Sequence, residues 1–198
     1  MSGGITAVQL LGGLSYATTL FLMAAGLTLI FGVTRIVNFA HGSFFMLGAL
    51  FSAHWLTHWF PDWSESAVLY ALAMLLGAGV AAVVGAVVDW ALLRRMADAP
   101  ELYQLVATFG LTLALHDAMH WLFGNEEVFA PRFPGLKGSV QIGEEFFPTY
   151  QLALMAIGPL VWLGLHLMLT RTLFGRRLRA ATEAVSYTHL TLPTKRIV

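Results

Sequence analysis

The 198 residues include no cysteine, which excludes a disulfide framework, a cysteine metal site and a thiol nucleophile. Charge is also scarce. Only 11% of residues are charged and 58% are hydrophobic, whereas soluble domains carry about 25% charged residues. Mean hydropathy is +0.72, so composition alone makes this a membrane protein. Basic and acidic residues balance at 11 each, and no cationic surplus points to nucleic acid. The sequence holds no G-x-x-x-x-G-K-[ST] phosphate loop. Its first residues lack the basic flank and cleavage site of a signal peptide, and the apolar run behind them exceeds a signal core. That run reads as a true span.

What is there is long apolar sequence. A spanning helix needs roughly 20 mainly apolar residues at about 1.5 Å each. Five stretches are predicted to cross: about 8–31, 40–59, 67–93, 102–123 and 150–169. The second is interrupted by His41, His54 and His58. The expected fold class is therefore all-α, a polytopic transmembrane helix bundle. No soluble domain fits between the spans.

The connections alternate in charge. Arg35, then Arg94 and Arg95, then Arg171, Arg176, Arg177 and Arg179 mark every second one. Asp62 and Glu65, then Glu126, Glu127, Glu144 and Glu145 mark the others. Basic loops stay on the cytoplasmic side, so the N-terminus is expected outside and 171–179 inside. Trp55, Trp59, Trp63 and Trp121 fall at the expected outer interface, where aromatic belts form. Residues 124–148 form the long outer loop, readable as a solvated connector or a docking surface.

The chain is organised around 26–50, where two apolar runs meet at a polar knot of Thr34, Arg35, Asn38, His41 and Ser43. An unpaired polar group in hydrocarbon costs several kcal/mol. The knot therefore marks either a cytoplasmic turn or the wall of a polar pathway. Asp117, within the fourth run, is a second pathway candidate because ionisable residues in spans face bundle interiors or wet cavities. Asp89 reads as an interface residue a turn from Arg94. The third run is rich in small residues (Gly77, Gly79, Ala81, Ala82, Gly85), which let helices approach closely.

Gly26-Leu27-Thr28-Leu29-Ile30-Phe31-Gly32, followed by Asn38-Phe39-Ala40-His41-Gly42, closely resembles the N-terminal signature of permease subunits of branched-chain amino acid ABC importers, the Liv-type group. Leu93-Arg94-Arg95 with Ala99-Pro100, Leu105-Val106-Ala107-Thr108-Phe109-Gly110-Leu111, Phe133-Pro134-Gly135 and Arg171-Thr172-Leu173-Phe174-Gly175-Arg176 extend the likeness in order. It covers about 14–183. The resemblance implies a multi-pass permease in a prokaryotic cytoplasmic (inner) membrane, embedded in membrane lipid and without cofactor. Its partners would be a second permease subunit, two cytoplasmic ATP-binding subunits and a periplasmic substrate-binding protein. The implied cargo is leucine, isoleucine, valine, or related solutes such as urea and amides. Arg176, Arg177, Arg179 and Glu183 would then lead into the segment that couples to the ATPase. Beyond Glu183 the likeness ends. Residues 1–183 read as the N-terminal part of the permease domain, and 184–198 as a non-native tail.

Two rival classes stand beside this one. His54-x-x-x-His58 and His116-Asp117-x-x-His120 have the i, i+4 spacing of metal ligands on a helix, which would suit a membrane-embedded metalloenzyme. Against it, only seven histidines are present, and interfacial histidine explains both pairs. No metal ligand set and no catalytic group are assigned. A small-residue bundle would also suit a passive channel for small solutes.

The charge pattern makes a direct prediction. A cysteine placed at Lys137 should label with an impermeant maleimide from the outer face. Labelling only from the cytoplasmic face overturns the orientation.

Overall fold

The computed structural model describes residues 2–34 and 38–188. It is helical almost throughout. Helix α1 covers Ser2–Thr34, α2 His41–His54, α3 Ala67–Ala91, α4 Glu101–Phe123, α5 Thr149–Arg171 and α6 Leu173–Thr188. A π-helical segment, Trp55–Trp59, continues α2, and one-turn 3-10 segments at Pro61–Ser64 and Leu93–Met96 flank α3. Among the described residues three helical stretches are long and apolar enough to cross a membrane: Gly4–Gly32, Ala67–Met96 and Thr149–Arg171. The chain is a multi-pass helical membrane protein.

The expected count of five is not reached on that measure. Helix α2 has 14 residues and continues only through the histidine- and tryptophan-bearing π segment. Helix α4 is long enough at 23 residues, but Gln104, His116, Asp117 and His120 dilute its apolar character. Hydroxyl groups inside the helices cost little, because they bond back one turn: Thr18 to the Leu14 carbonyl at 2.9 Å, Thr57 to Ala53 at 2.8 Å and Thr112 to Thr108 at 2.9 Å.

The tightest packing joins α2 to α3. The single Ser52 hydroxyl proton is shared between the Gly48 carbonyl at 2.9 Å and, across the seam, the Ala73 carbonyl at 3.3 Å. Gly77 must be glycine here. A Cβ at Gly77 would overlap Ser52 Oγ and lie 2.5 Å from the Gly48 carbonyl oxygen. The small residues of α3 thus divide into two sets. Ala73 and Gly77 are buried against α2, whereas a Cβ at Gly79 would meet nothing within 4 Å. Helix α1 meets α5 where Gly158 faces Thr18. The turn from α5 to α6 is equally tight, since a Cβ at Gly175 would strike the Leu169 backbone.

The connection over 124–148 carries a small exposed hairpin. Ser139–Ile142 and Glu145–Pro148 pair antiparallel as β1 and β2, with Ile142 opposite Glu145. Gly143, at φ 68°, opens the two-residue turn between them, where a positive φ matches the twist of a tight hairpin. Alternation is too short here to announce strands. The segment before the hairpin docks on α3: Tyr70 Oη donates to the Pro131 carbonyl at 2.8 Å, and the Tyr70 and Phe133 rings meet edge-on at 5.2 Å. Leu56, Tyr70 and Ala73 form the buried cluster beneath, with Trp55 and Trp63 against it.

These contacts sort the two ends of the bundle. The start of α1 abuts the hairpin turn (a Cβ at Gly4 would lie 3.3 Å from the Ile142 carbonyl), and His54 packs on Phe123 at 4.9 Å. The acidic connections lie at this end. Among the described residues the basic ones, Arg94, Arg95 and those of 171–179, lie at the other, with the end of α3, the start of α4 and helix α6.

Gly77→Ala should destabilise the bundle by about 1–3 kcal/mol through overpacking, and Gly79→Ala should leave it nearly unchanged. Thermal unfolding in detergent compares them, and equal midpoints would refute the seam.

Candidate functional site

The polar knot is a built turn. Asn38 is buried, and its Oδ1 accepts the Ala40 N–H at 3.0 Å while its own carbonyl accepts the His41 N–H at 3.2 Å. An asparagine side chain that bonds the backbone two residues on replaces a helical turn. Both oxygens of Asn38 thus accept backbone N–H groups at the entry to α2. Ser43, one turn into α2, is buried. Arg35 lies outside the described residues.

His41 has a different setting. Its imidazole lies over α1, with Cε1 and Nε2 each 3.1 Å from where a Cβ on Gly26 would sit. Gly26 is the residue that lets a ring approach α1 so closely. His41 and Gly26 line one end of a cleft of about 690 Å³ between α1 and the α2–α3 pair. Ser52 and Tyr70 are its other polar lining groups, and Ile30, Phe44 and Met74 stand among its apolar walls. Apolar walls with a few placed polar groups suit a small amphipathic solute or a helix face.

The remaining candidates do not join this cleft. Asp117 lies exposed on α4, as do His116 and His120, whose rings meet at 4.4 Å. His54 and His58 stack at 4.8 Å, but the ring that α4 presents to His54 is Phe123. Among the described residues no group of three His, Cys, Asp or Glu is placed to hold a metal ion. Asp89 accepts from Arg94 Nε at 2.7 Å, an exposed pair worth at most about 1 kcal/mol in water. Arg176, Arg177 and Arg179 lie exposed on α6, which runs unbroken through Glu183 to Thr188. Residues 184–188, the start of the expected tail, thus continue this helix, and 189–198 lie outside the described residues.

Several structural residues escaped sequence reasoning. Gln104, buried at the start of α4, donates through Nε2 to the carbonyls of Met96 at 3.1 Å and Ala99 at 2.9 Å, tying down the turn after α3. Thr108, fully buried, donates to the Gln104 carbonyl at 3.0 Å. A buried glutamine two residues inside an apolar run is a readable signal, since such a group needs partners. Gly26 carried none, because nothing in the sequence says which glycine a ring will cover.

Asn38→Ala should destabilise α2 by about 1 kcal/mol, as loss of a cap does, and Asn38→Asp, which keeps the acceptor, should recover most of it. Unfolding midpoints in detergent check both. Equal loss in the two variants would show that the turn does not depend on Oδ1.

Comparison with known proteins agrees with this architecture. No solved structure matches. The permease protein BraD of Pseudomonas aeruginosa, of a high-affinity branched-chain amino acid transport system, is 27% identical over 192 residues, covering 92% of this chain and 61% of BraD. The corresponding LivH proteins of Escherichia coli K12 and Salmonella typhimurium are 25% and 24% identical over 179 residues, covering 88% of this chain and 58% of theirs. The chain therefore spans about three fifths of the length of these relatives. The family model described as the branched-chain amino acid transport system permease component matches residues 9–188, and the chain belongs to that family.

Proposed function

We propose that the chain forms part of the translocation domain of an ATP-driven importer for branched-chain amino acids (leucine, isoleucine and valine) or for related small solutes such as urea or amides. The observation that carries this reading is the permease match over 9–188. The cleft between α1 and α2–α3, with His41, Ser52 and Tyr70 on otherwise apolar walls, supports it as a surface from which a pathway is built. In this reading a second permease subunit completes the pathway, two cytoplasmic ATP-binding subunits drive it and a periplasmic substrate-binding protein delivers the solute. ATP hydrolysis then belongs to other subunits.

The orientation follows from charge. The hairpin end, with Asp62, Glu65, Glu126, Glu127, Glu144 and Glu145, faces the periplasm. The end with Arg94, Arg95, Arg171, Arg176, Arg177 and Arg179 faces the cytoplasm across an inner membrane. The folded hairpin then offers the binding protein a preformed surface, and α6 carries Arg176, Arg177 and Glu183 toward the ATPase. Asn38, His41 and Ser43 serve the pathway and its scaffold, and no side chain is assigned catalysis.

Cells expressing the chain together with ATP-binding and substrate-binding subunits of such an importer should accumulate labelled leucine only while ATP is present. Gly26→Leu, which displaces His41 from α1, should lower uptake at least about ten-fold, as expected for a misplacement of about 1 Å. Uptake that persists without ATP would favour a passive channel. Metal-dependent turnover of the solute would favour a metalloenzyme, and either result overturns the proposal.

A further inference from the structure

The cleft beside His41 has walls of unequal length. Along α3 it runs from Tyr70 to Gly85, about 22 Å at 1.5 Å per residue, but along α1 only from Leu22 to Ile30, about 12 Å. Toward the hairpin end α1 leaves the cleft and leans on α5, where Thr18 meets Gly158. Beside Tyr70 the cleft is lined by Ala130, the one lining residue among those described that no helix carries. Ala130 belongs to the stretch between α4 and the hairpin.

That stretch, 125–134, is fastened at a few points and otherwise unsupported. Residues 125–130 exchange no backbone hydrogen bond with any described residue. Phe129 keeps 80% of its surface exposed. The fastenings are side chains. Tyr70 Oη donates to the Pro131 carbonyl at 2.8 Å, Phe133 meets the Tyr70 ring edge-on, and the Arg132 guanidinium lies 5.3 Å from the centre of the Tyr150 ring. Both ends of the stretch are glycines with positive φ. Gly124 closes α4 at φ 84° and ψ 178°, a combination open essentially to glycine alone, and Gly135 has φ 85°. A Cβ at either would meet nothing within 4 Å, so glycine serves backbone conformation there and not packing.

We propose that 125–134 is a strap that gates the hairpin-end mouth of the cleft, latched by Tyr70 and hinged at Gly124 and Gly135. Tyr70 suits a latch because its ring is buried with Leu56 and Ala73, which holds the hydroxyl at the mouth whether the strap is down or lifted. One net hydrogen bond is weak enough to break and reform as solutes enter. Tyr70 is thus a positioning residue, which acts by placing the Pro131 segment. The inference rests on reading the cleft as part of a solute pathway.

Because the chain lacks cysteine, single substitutions can report access to the cleft. Met74 lines it one turn from Tyr70 on α3, whereas Gly79 lies outside it, exposed on another face of that helix. The full chain carrying Met74→Cys is expressed in cells, and spheroplasts are treated from outside with an impermeant maleimide. Labelling should be slow, and Tyr70→Phe, which removes only the hydroxyl, should speed it about five-fold, the effect of one net hydrogen bond. Gly124→Ala, which strains the closed backbone, should speed it at least as much. Gly79→Cys should stay equally unreactive in all three backgrounds. An unchanged rate at Met74→Cys in the Tyr70→Phe background would overturn the proposal. So would labelling of Met74→Cys alone as fast as Lys137→Cys, which would mean an open mouth. A parallel rise at Gly79→Cys would show general loosening of the bundle instead of a gate. If Lys137→Cys labels but Met74→Cys labels in no background, the strap is not what closes the cleft. The measurement needs neither ATP nor solute, so its failure leaves the importer reading to the uptake test.

Discussion

The seam between α2 and α3 holds the rest in place. Ser52 spends its one proton on both helices, and the absence of a side chain at Gly77 lets the backbones approach closely enough for that bond to form. In lipid no hydrophobic force pushes helices together, so close packing and shared hydrogen bonds carry association. With the seam closed, Leu56 and Tyr70 are buried at its hairpin end. Tyr70 in turn holds Pro131 and Phe133, which position the outer loop. A substitution at one glycine would therefore be felt in a loop more than fifty residues away in sequence.

Two grooves follow from how α1 relates to its neighbours. On one side a histidine ring fills the space over Gly26, and α1 stands off from α2 and α3 elsewhere. On the other side α1 touches α5 at Thr18 and Gly158, then diverges toward the basic end, where α6 closes the gap. Each groove has mainly apolar walls with its polar groups few and placed. The first lies between α1 and the helix that follows the turn built from Asn38. The second opens at the level of the arginines.

The chain also shows how polar groups are handled in apolar surroundings. Asn38 and Gln104 are both buried amides, and both are spent on backbone groups that helix ends leave unpaired. Serine and threonine hydroxyls bond one turn back. Two histidine pairs behave otherwise at the acidic end: His54 and His58 stack, His116 and His120 meet edge-on, and Trp55 stacks on Phe60 nearby with Trp63 edge-on to it.

Membrane class, helical architecture and alternating loop charge were legible in the sequence, because each depends on composition and periodicity that need no partner. The family signature at 26–42 was legible for the same reason, as a local string. Residues 38–41 could be read as a turn, since asparagine before an apolar run has few other uses. What the tertiary structure decided was pairing. It chose Gly77 over Gly79 for the seam and Gly26 as the bed for His41. It placed Asp117 on an exposed face of α4 and folded the outer loop into a hairpin. Those outcomes depend on which helix lies opposite, and a helix's own sequence does not contain that neighbour.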